Sequence, residues 1–106
     1  MNLAYPINLE EDRTDGKFWG YLVTFPDLPE AITSGVDMDD ALAHAKDCLE
    51  TALLWRVGDG QDVPLPSEPN DRPTVVPSVT VAAKVMLYAE LQRQKITNTE
   101  LARRID

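Results

Sequence analysis

The chain has few of the side chains from which catalytic centres and metal sites are usually built. Its 106 residues include one histidine, His44, and one cysteine, Cys48. A single cysteine cannot close an internal disulfide, and one Cys with one His does not make a zinc motif. Both fall on one predicted helix, where a surface or core role is the better interpretation. The sequence thus indicates a protein of a reducing, cytoplasmic compartment.

Long apolar runs and positive charge are also scarce. No apolar stretch is long enough to span a bilayer, and the N-terminus lacks the charged and apolar regions of a signal peptide. Residues 1–71 hold four Lys and Arg against fifteen Asp and Glu, a net charge of −11, whereas residues 72–106 carry +3. The first part should repel nucleic acids and attract basic partners, unless its charge serves only solubility. The tail is suited to approach phosphates.

The residues that are present predict an α+β fold that starts with three strands. Residues 3–9 alternate apolar and polar side chains, an acidic turn at 10–16 ends in Asp-Gly, and residues 17–25 form a second strand. Two prolines within 26–30 predict a rigid corner at which strand pairing stops. A third strand is predicted over 31–36.

A long helix is predicted after these strands. Asp37 has the character of an N-cap, and acidic residues in the first turn suit the helix dipole. The helix should run to about Val57, with Gly58 as its C-terminal stop. The apolar stripe that we expect to pack on the sheet consists of Leu42, Ala45, Leu49, Ala52 and Leu53.

The second half of the chain begins with an extended, proline-rich linker. Residues 63–77 hold five of the eight prolines, with a brief strand predicted at 74–76. A helix is predicted from Val79 to about Arg93, followed by a turn over 94–96. A further helix should start at the capping box Thr97-Asn98-Thr99-Glu100. The pair has the form of a helix-turn-helix, or of a helical hairpin used for dimerisation.

The sequence offers little catalytic chemistry. Gly58-Asp59-Gly60 is too short for a phosphate-binding loop and no helix follows it. Carboxylates are numerous enough for a Mg²⁺-dependent nuclease, but the predicted strands carry none on an inward-facing pattern. We therefore predict no catalytic residue, no metal site and no cofactor, and the protein is not expected to be an enzyme.

Several motifs occur together in a recognisable order. Residues 21–31 read YLVTFPDLPEA, and TSG at 33–35 leads into the helix with the acidic cap. PLPS at 64–67, AAKV at 82–85 and ELARRI at 100–105 follow, the last being generic to helix-turn-helix proteins. In this order and spacing, the chain resembles the HicB antitoxins of bacterial HicAB toxin–antitoxin systems over its whole length.

The resemblance implies a domain organisation. It implies a partial, catalytically inactive RNase H-like toxin-binding domain over 1–62, the proline-rich linker over 63–77, and the first two helices of a helix-turn-helix DNA-binding module over 78–106. Such a module needs a further helix, so we expect a truncated form that binds toxin but binds operator DNA weakly or not at all. Residual Mg²⁺-dependent nuclease activity, or a plain oligomerisation module, is the alternative.

The resemblance also implies the partners. These are HicA, a small basic toxin that cleaves mRNA and whose active site the antitoxin covers, and operator DNA, through which the full-length protein represses its own operon as a dimer or larger oligomer. No membrane partner is expected. The predicted toxin-binding residues are Trp19, Tyr21, Asp27, Leu28, Glu30, Asp37, Asp39 and Asp40. The predicted DNA-binding residues are Thr97, Thr99, Arg103 and Arg104.

Overall fold

The computed structural model describes the backbone of residues 3–105 and the side chains of residues 3–95. The elements in this part of the chain are β1 (Tyr5–Pro6), β2 (Asn8–Thr14), β3 (Lys17–Phe25), β4 (Leu28–Gly35), α1 (Met38–Gly58), β5 (Thr74–Val75) and α2 (Val79–Ile105). Strands followed by a helix, a short strand and a second helix confirm the predicted α+β class.

Two antiparallel sheets are formed. The larger has the order β2-β3-β4, which leaves β4 at an edge among the described residues. The smaller pairs β1 with β5, with Tyr5 opposite Val75. The Ile7 N–H donates to the Pro73 carbonyl at 2.9 Å and extends this contact. The predicted first strand is thus divided at Ile7 between two sheets. Pro6 lies in a strand with one neighbour, as its missing N–H requires.

The first hairpin is tighter than the sequence predicts. Asp15 and Gly16 adopt the positive φ angles of 55° and 76° that the Asp-Gly pair indicates. Residues 10–14, three of which are acidic and all of which were predicted as part of the turn, are instead paired with β3. The turn prediction over 10–16 is wrong in this respect, because the hydrogen-bond ladder outweighs the low strand propensity of Glu and Asp.

The proline corner is also shorter than predicted. Only Pro26 and Asp27 form the turn, and pairing resumes where Phe25 faces Leu28. The next pair joins Thr24 to Ile32, so residues 29–31 bulge out of the ladder. Pairing is interrupted as expected, but β4 begins at Leu28 and not at residue 31. A proline inside β4 is tolerated because the strand lies at an edge.

Helix α1 covers one face of the larger sheet. The Asp37 Oδ1 accepts the Asp40 N–H at 2.8 Å, and the Asp40 Oδ2 accepts the Val36 N–H at 3.0 Å, so the predicted N-cap is confirmed. The prediction for Leu42 is wrong, since this side chain is exposed. The helix meets the sheet through a neighbouring line of residues, which are Ala41, Ala45, Leu49, Ala52 and Leu53.

The core lies between α1, the sheets and the start of α2. Its largest fully buried side chains include Tyr5, Phe25, Ile7, Leu28 and Leu49. Helix α2 adds the buried side chains Val81 and Val85, four residues apart on one face. Burial of these apolar groups is the main stabilising contribution to the fold.

The turn predicted at 94–96 is wrong, because α2 is continuous from Val79 to Ile105. This segment contains neither Gly nor Pro, so nothing in its backbone ends the helix early. The predicted capping box lies inside α2, and its side chains are outside the described residues. Neither α1 nor α2, as far as the structure describes them, has an apolar stretch of the length that a membrane crossing needs.

Candidate functional site

The largest cavity described is an open groove beside the edge strand. It has a volume of ≈ 430 Å³ and runs between β4 and α1; we call it the β4–α1 groove. Ala31 and Thr33 contribute from the strand. The helix contributes a line of side chains at spacings of four, three and four residues, which are His44, Cys48, Thr51 and Trp55. This spacing places them on one face of the helix, next to its buried stripe.

A smaller depression of ≈ 210 Å³ adjoins the start of α1, and we call it the N-cap depression. Trp19, Tyr21 and Asp40, three of the predicted partner-binding residues, line it together with Asp12. His44 lines both cavities. The two cavities therefore meet at this histidine and form one surface along α1.

A β-bulge positions Trp19 on this surface. Asp12 pairs with Gly20 and Arg13 with Phe18, so Trp19 is the extra residue between them. Gly20 has φ of 136°, a conformation that favours glycine. The bulge leaves Trp19 60% exposed. Bulges commonly redirect a side chain in this way near functional surfaces.

The α1 side chains of the groove also hold the outer edge of β4. The Ser34 carbonyl lies 2.8 Å from Nδ1 of His44, and since a carbonyl only accepts, Nδ1 donates this bond. Nε2 of the same ring lies 3.5 Å from the Asp40 Oδ1. The Cys48 sulfur hydrogen-bonds the backbone of Ile32. Burial, with a smaller effect of the Glu30 charge, raises the pKa of the Cys48 thiol, which makes it a poor nucleophile.

Glu30 lies at the mouth of the groove in a salt bridge with Arg56. Its two carboxylate oxygens accept from Nε and Nη2 of the guanidinium at 2.6 and 3.0 Å. These hydrogen bonds lower the pKa of Glu30. Asp47 adds a second carboxylate to the groove. Among the described residues that line the two cavities none is Lys or Arg, so the surface is acidic.

The remaining predicted partner-binding residues lie elsewhere. Asp27, in the second hairpin turn, accepts from the Ser67 N–H at 2.9 Å and from the Ser67 hydroxyl. Leu28 is fully buried, so its side chain offers no surface to a partner and the prediction for this residue is corrected. Asp37 and Asp39 are exposed at the start of α1, outside both cavities. The side chains of Thr97, Thr99, Arg103 and Arg104 lie outside the described residues.

Sequence reasoning missed the helix side of the surface. Asp47, Thr51 and Trp55 were not predicted as binding residues, although Trp55 is 60% exposed. The sequence did contain a signal for Trp55. It lies seven residues after Cys48 and eleven after His44, spacings that place the three side chains on one helix face outside the apolar stripe. Within the described residues, no three His, Cys, Asp or Glu side chains are grouped so that they could hold a metal ion.

Comparison with known proteins identifies the family. The family model of the HicB-like antitoxins of bacterial toxin–antitoxin systems matches residues 4–86. The chain belongs to this family. The match contains every residue of the acidic surface and ends inside α2. The chain is therefore a HicB-like antitoxin, and both cavities lie within the matched residues.

Individual HicB proteins align over nearly the whole chain. Antitoxin HicB 2 of Photorhabdus laumondii is 39% identical over 102 residues, which are 96% of this chain and 69% of that protein. Antitoxin HicB of Escherichia coli K12 is 41% identical over 105 residues, which are 97% of this chain and 72% of that protein. Antitoxin HicB of Pseudomonas fluorescens is 32% identical over 107 residues, with 98% of this chain and 70% of that protein covered.

Proposed function

We propose that this HicB-like antitoxin binds a small basic HicA toxin that cleaves mRNA, and neutralises it by covering its active site. The antitoxin catalyses no reaction in this proposal. Its family membership is the observation that carries the proposal. The charge of the chain supports it, because residues 1–71 have a net charge of −11.

The physical basis is competition for a cationic surface. A protein that cleaves RNA has to present positive charge to the phosphates of its substrate. An acidic partner is attracted to the same charge, which accelerates encounter and orients docking. Affinity should come from desolvated apolar and aromatic contacts, since exposed ion pairs contribute little by themselves.

The proposal also includes an RNase H-like fold and a second role in operator binding. We infer that the β-strands and α1 form a partial RNase H-like domain without nuclease function, which the element order supports. The +3 charge of residues 72–106 supports operator binding and autorepression by a dimer or larger oligomer. Because α2 is continuous, this chain alone should bind operator weakly or not at all. A gel shift with tight, sequence-specific binding would contradict that.

The direct test is inhibition of RNA cleavage by a purified cognate HicA toxin. Purified antitoxin, added at increasing ratios to the toxin, should abolish cleavage near equimolar amounts. Cleavage that continues at saturating antitoxin overturns the proposal. Antitoxin alone, with Mg²⁺ and with EDTA, tests the alternative. Cleavage that requires Mg²⁺ and disappears with EDTA would support a residual nuclease and not an antitoxin.

A further inference from the structure

We infer that the toxin docks on the β4–α1 groove and the adjoining N-cap depression, with Trp55 as its main apolar anchor. The inference rests on the proposed function and names the surface that performs it. It keeps four of the predicted toxin-binding residues, adds side chains of helix α1 and leaves out Asp27; the four that it keeps are Trp19, Tyr21, Glu30 and Asp40. The occupant is a cationic surface of the toxin that presents Lys or Arg side chains around an apolar contact.

The aromatic content of the surface is the first argument. Trp55 and Trp19 are each 60% exposed, one in each cavity. Exposed tryptophan is costly to leave in water and is enriched among the residues that dominate binding energy. Between the two lies an apolar and small-residue floor that includes Ala31 and Ala52, both buried. A partner that covers the two tryptophans removes their exposed apolar area from water.

Charge defines the chemistry of the partner. Glu30 and Asp47 lie in the groove, and Asp12 and Asp40 in the depression. Part of the Glu30 charge is already neutralised by Arg56, whose bond to it measures 2.6 Å. Asp47 and Asp12 add negative charge that attracts the Lys and Arg side chains of a basic surface. Asp40 contributes to the same charge, although its carboxylate also accepts the Val36 N–H. Tryptophan faces favour the same cations.

The edge of β4 decides how the partner is bound. Exposed strand edges often bind a partner by adding a strand. Here the Ser34 carbonyl already accepts from His44, and the Ile32 backbone already bonds Cys48. An added strand would have to break both contacts. The toxin is therefore recognised by side chains that enter the groove.

The position of Cys48 allows a test that changes no residue of the site. It is the single cysteine of the chain, half-buried in the groove. Its alkylation by N-ethylmaleimide, read by mass spectrometry of its peptide, should slow at least about tenfold in the toxin complex. A Leu65→Cys variant supplies an exposed reference, since Leu65 is 61% exposed outside the groove. Equal rates at Cys48 with and without saturating toxin, or equal protection at both cysteines, overturn the inference.

Substitutions test the anchor and the charge separately. Trp55→Ala should weaken toxin binding about 30-fold, the effect of removing a binding hot spot. Leu65→Ala, an apolar truncation of similar exposure, should change it less than about twofold. Asp47→Lys should weaken binding about tenfold, whereas Glu68→Lys, the same charge change on the exposed segment, should not. Calorimetric titration measures all four, and thermal unfolding checks that each variant folds.

The outcomes separate this inference from the proposed function. If the unaltered protein fails to inhibit the toxin, the proposed function itself falls. If it inhibits, and Trp55→Ala and Asp47→Lys inhibit equally well, only the docking surface is overturned. Sedimentation velocity adds one outcome. A dimer that Trp55→Ala dissociates, while toxin binding is unchanged, would make a second copy of the chain the occupant and also overturn the inference.

Discussion

At Gly35 the backbone of helix α1 lies close against strand β4. A Cβ atom placed there would overlap the backbone N and Cα of Ala41, which the helix holds in place. On the neighbouring strand, a Cβ at Gly20 would overlap the Gly35 carbonyl. These two glycines permit a backbone approach that larger residues prevent, and they set the position of α1 relative to the floor of the groove.

We therefore expect Gly35→Ala to destabilise the protein by about 1–3 kcal/mol, the usual cost of overpacking. Urea unfolding measures the change. Gly58→Ala is the matched control, because a Cβ there meets nothing within 4 Å. At this helical position alanine should leave stability unchanged or raise it by about 0.5–1 kcal/mol. Equal stability of the Gly35→Ala variant and the wild type would show that α1 is free to move away.

The Glu30–Arg56 salt bridge makes stability depend on pH. The pKa of Glu30 is lowered in the folded protein, so the stabilisation is fully present above the ordinary glutamate pKa of 4.5. It is lost as the pH falls through the lowered pKa. Because the Glu30 side chain is 43% exposed, the contribution should not exceed about 1 kcal/mol.

Glu30→Gln should thus lower the free energy of unfolding at neutral pH and have a smaller effect in the acid range. Urea unfolding at a series of pH values checks this difference. Glu68→Gln, on an exposed side chain of the 63–77 segment, is the control. A difference between Glu30→Gln and wild type that stays constant from neutral to strongly acidic pH would contradict the assignment of the salt bridge.

At the scale of elements, the segment of residues 63–77 contains β5 and joins α1 to α2. It also contacts the sheets through side chains. The Tyr5 hydroxyl donates to the Pro64 carbonyl at 2.7 Å, and Ser67 bonds Asp27. Burial, assisted by the Asp27 charge and opposed by Arg56, raises the pKa of Tyr5 to about 12. The phenol therefore remains a donor at any physiological pH. The proline-rich composition predicted an extended segment. The side chains of Tyr5 and Asp27 determine its position against the rest of the fold.

Asp27→Ala should release this segment while most of the fold persists. We expect amide hydrogen exchange at Ser67, whose N–H donates to Asp27, to become several-fold faster, with a loss of about 1–2 kcal/mol in the free energy of unfolding. Asp39→Ala, which removes an exposed carboxylate in the first turn of α1, should leave the exchange rate at Ser67 unchanged. If Ser67 exchanges at the wild-type rate in both variants, it is held by other contacts.

At the scale of the whole molecule, residues 1–71, which we call the acidic body, are followed in the chain by the long helix α2. The molecule measures 67 × 25 × 23 Å with a radius of gyration of 17.2 Å, above the roughly 13 Å of a compact chain of this length. Negative charge is concentrated in residues 1–71, and positive charge in the part that includes α2. The two parts therefore present opposite charge to partners.

The charge of the body should be visible in association kinetics. If the toxin is basic, the association rate constant should fall about tenfold or more between low and high salt, while the dissociation rate changes little. Stopped-flow fluorescence of the tryptophans measures both rates. An association rate that does not depend on ionic strength would mean that the acidic body contributes solubility only.

Strand β3 and helix α1 could be predicted almost to the residue, because their signals are local. The alternation over 17–25 and the N-cap at Asp37 require only neighbouring residues. Residues 10–14 could not be predicted as a strand, since their pairing partners in β3 impose it. Leu42 was wrongly predicted to face the sheet and Trp55 was missed for a similar reason. Which face of α1 meets the sheet is decided by contacts between distant parts of the chain.

The sequence alone determined the family, the division of charge along the chain, and the positions of strand β3 and helix α1. These properties depend on composition and on short-range patterns. Tertiary structure alone decided that Trp19 and Trp55 share one acidic surface with His44 between them. That arrangement depends on a bulge in β3, the close approach at Gly35 and the pairing register of β4. Each of these is a contact between distant parts of the chain, which local patterns do not encode.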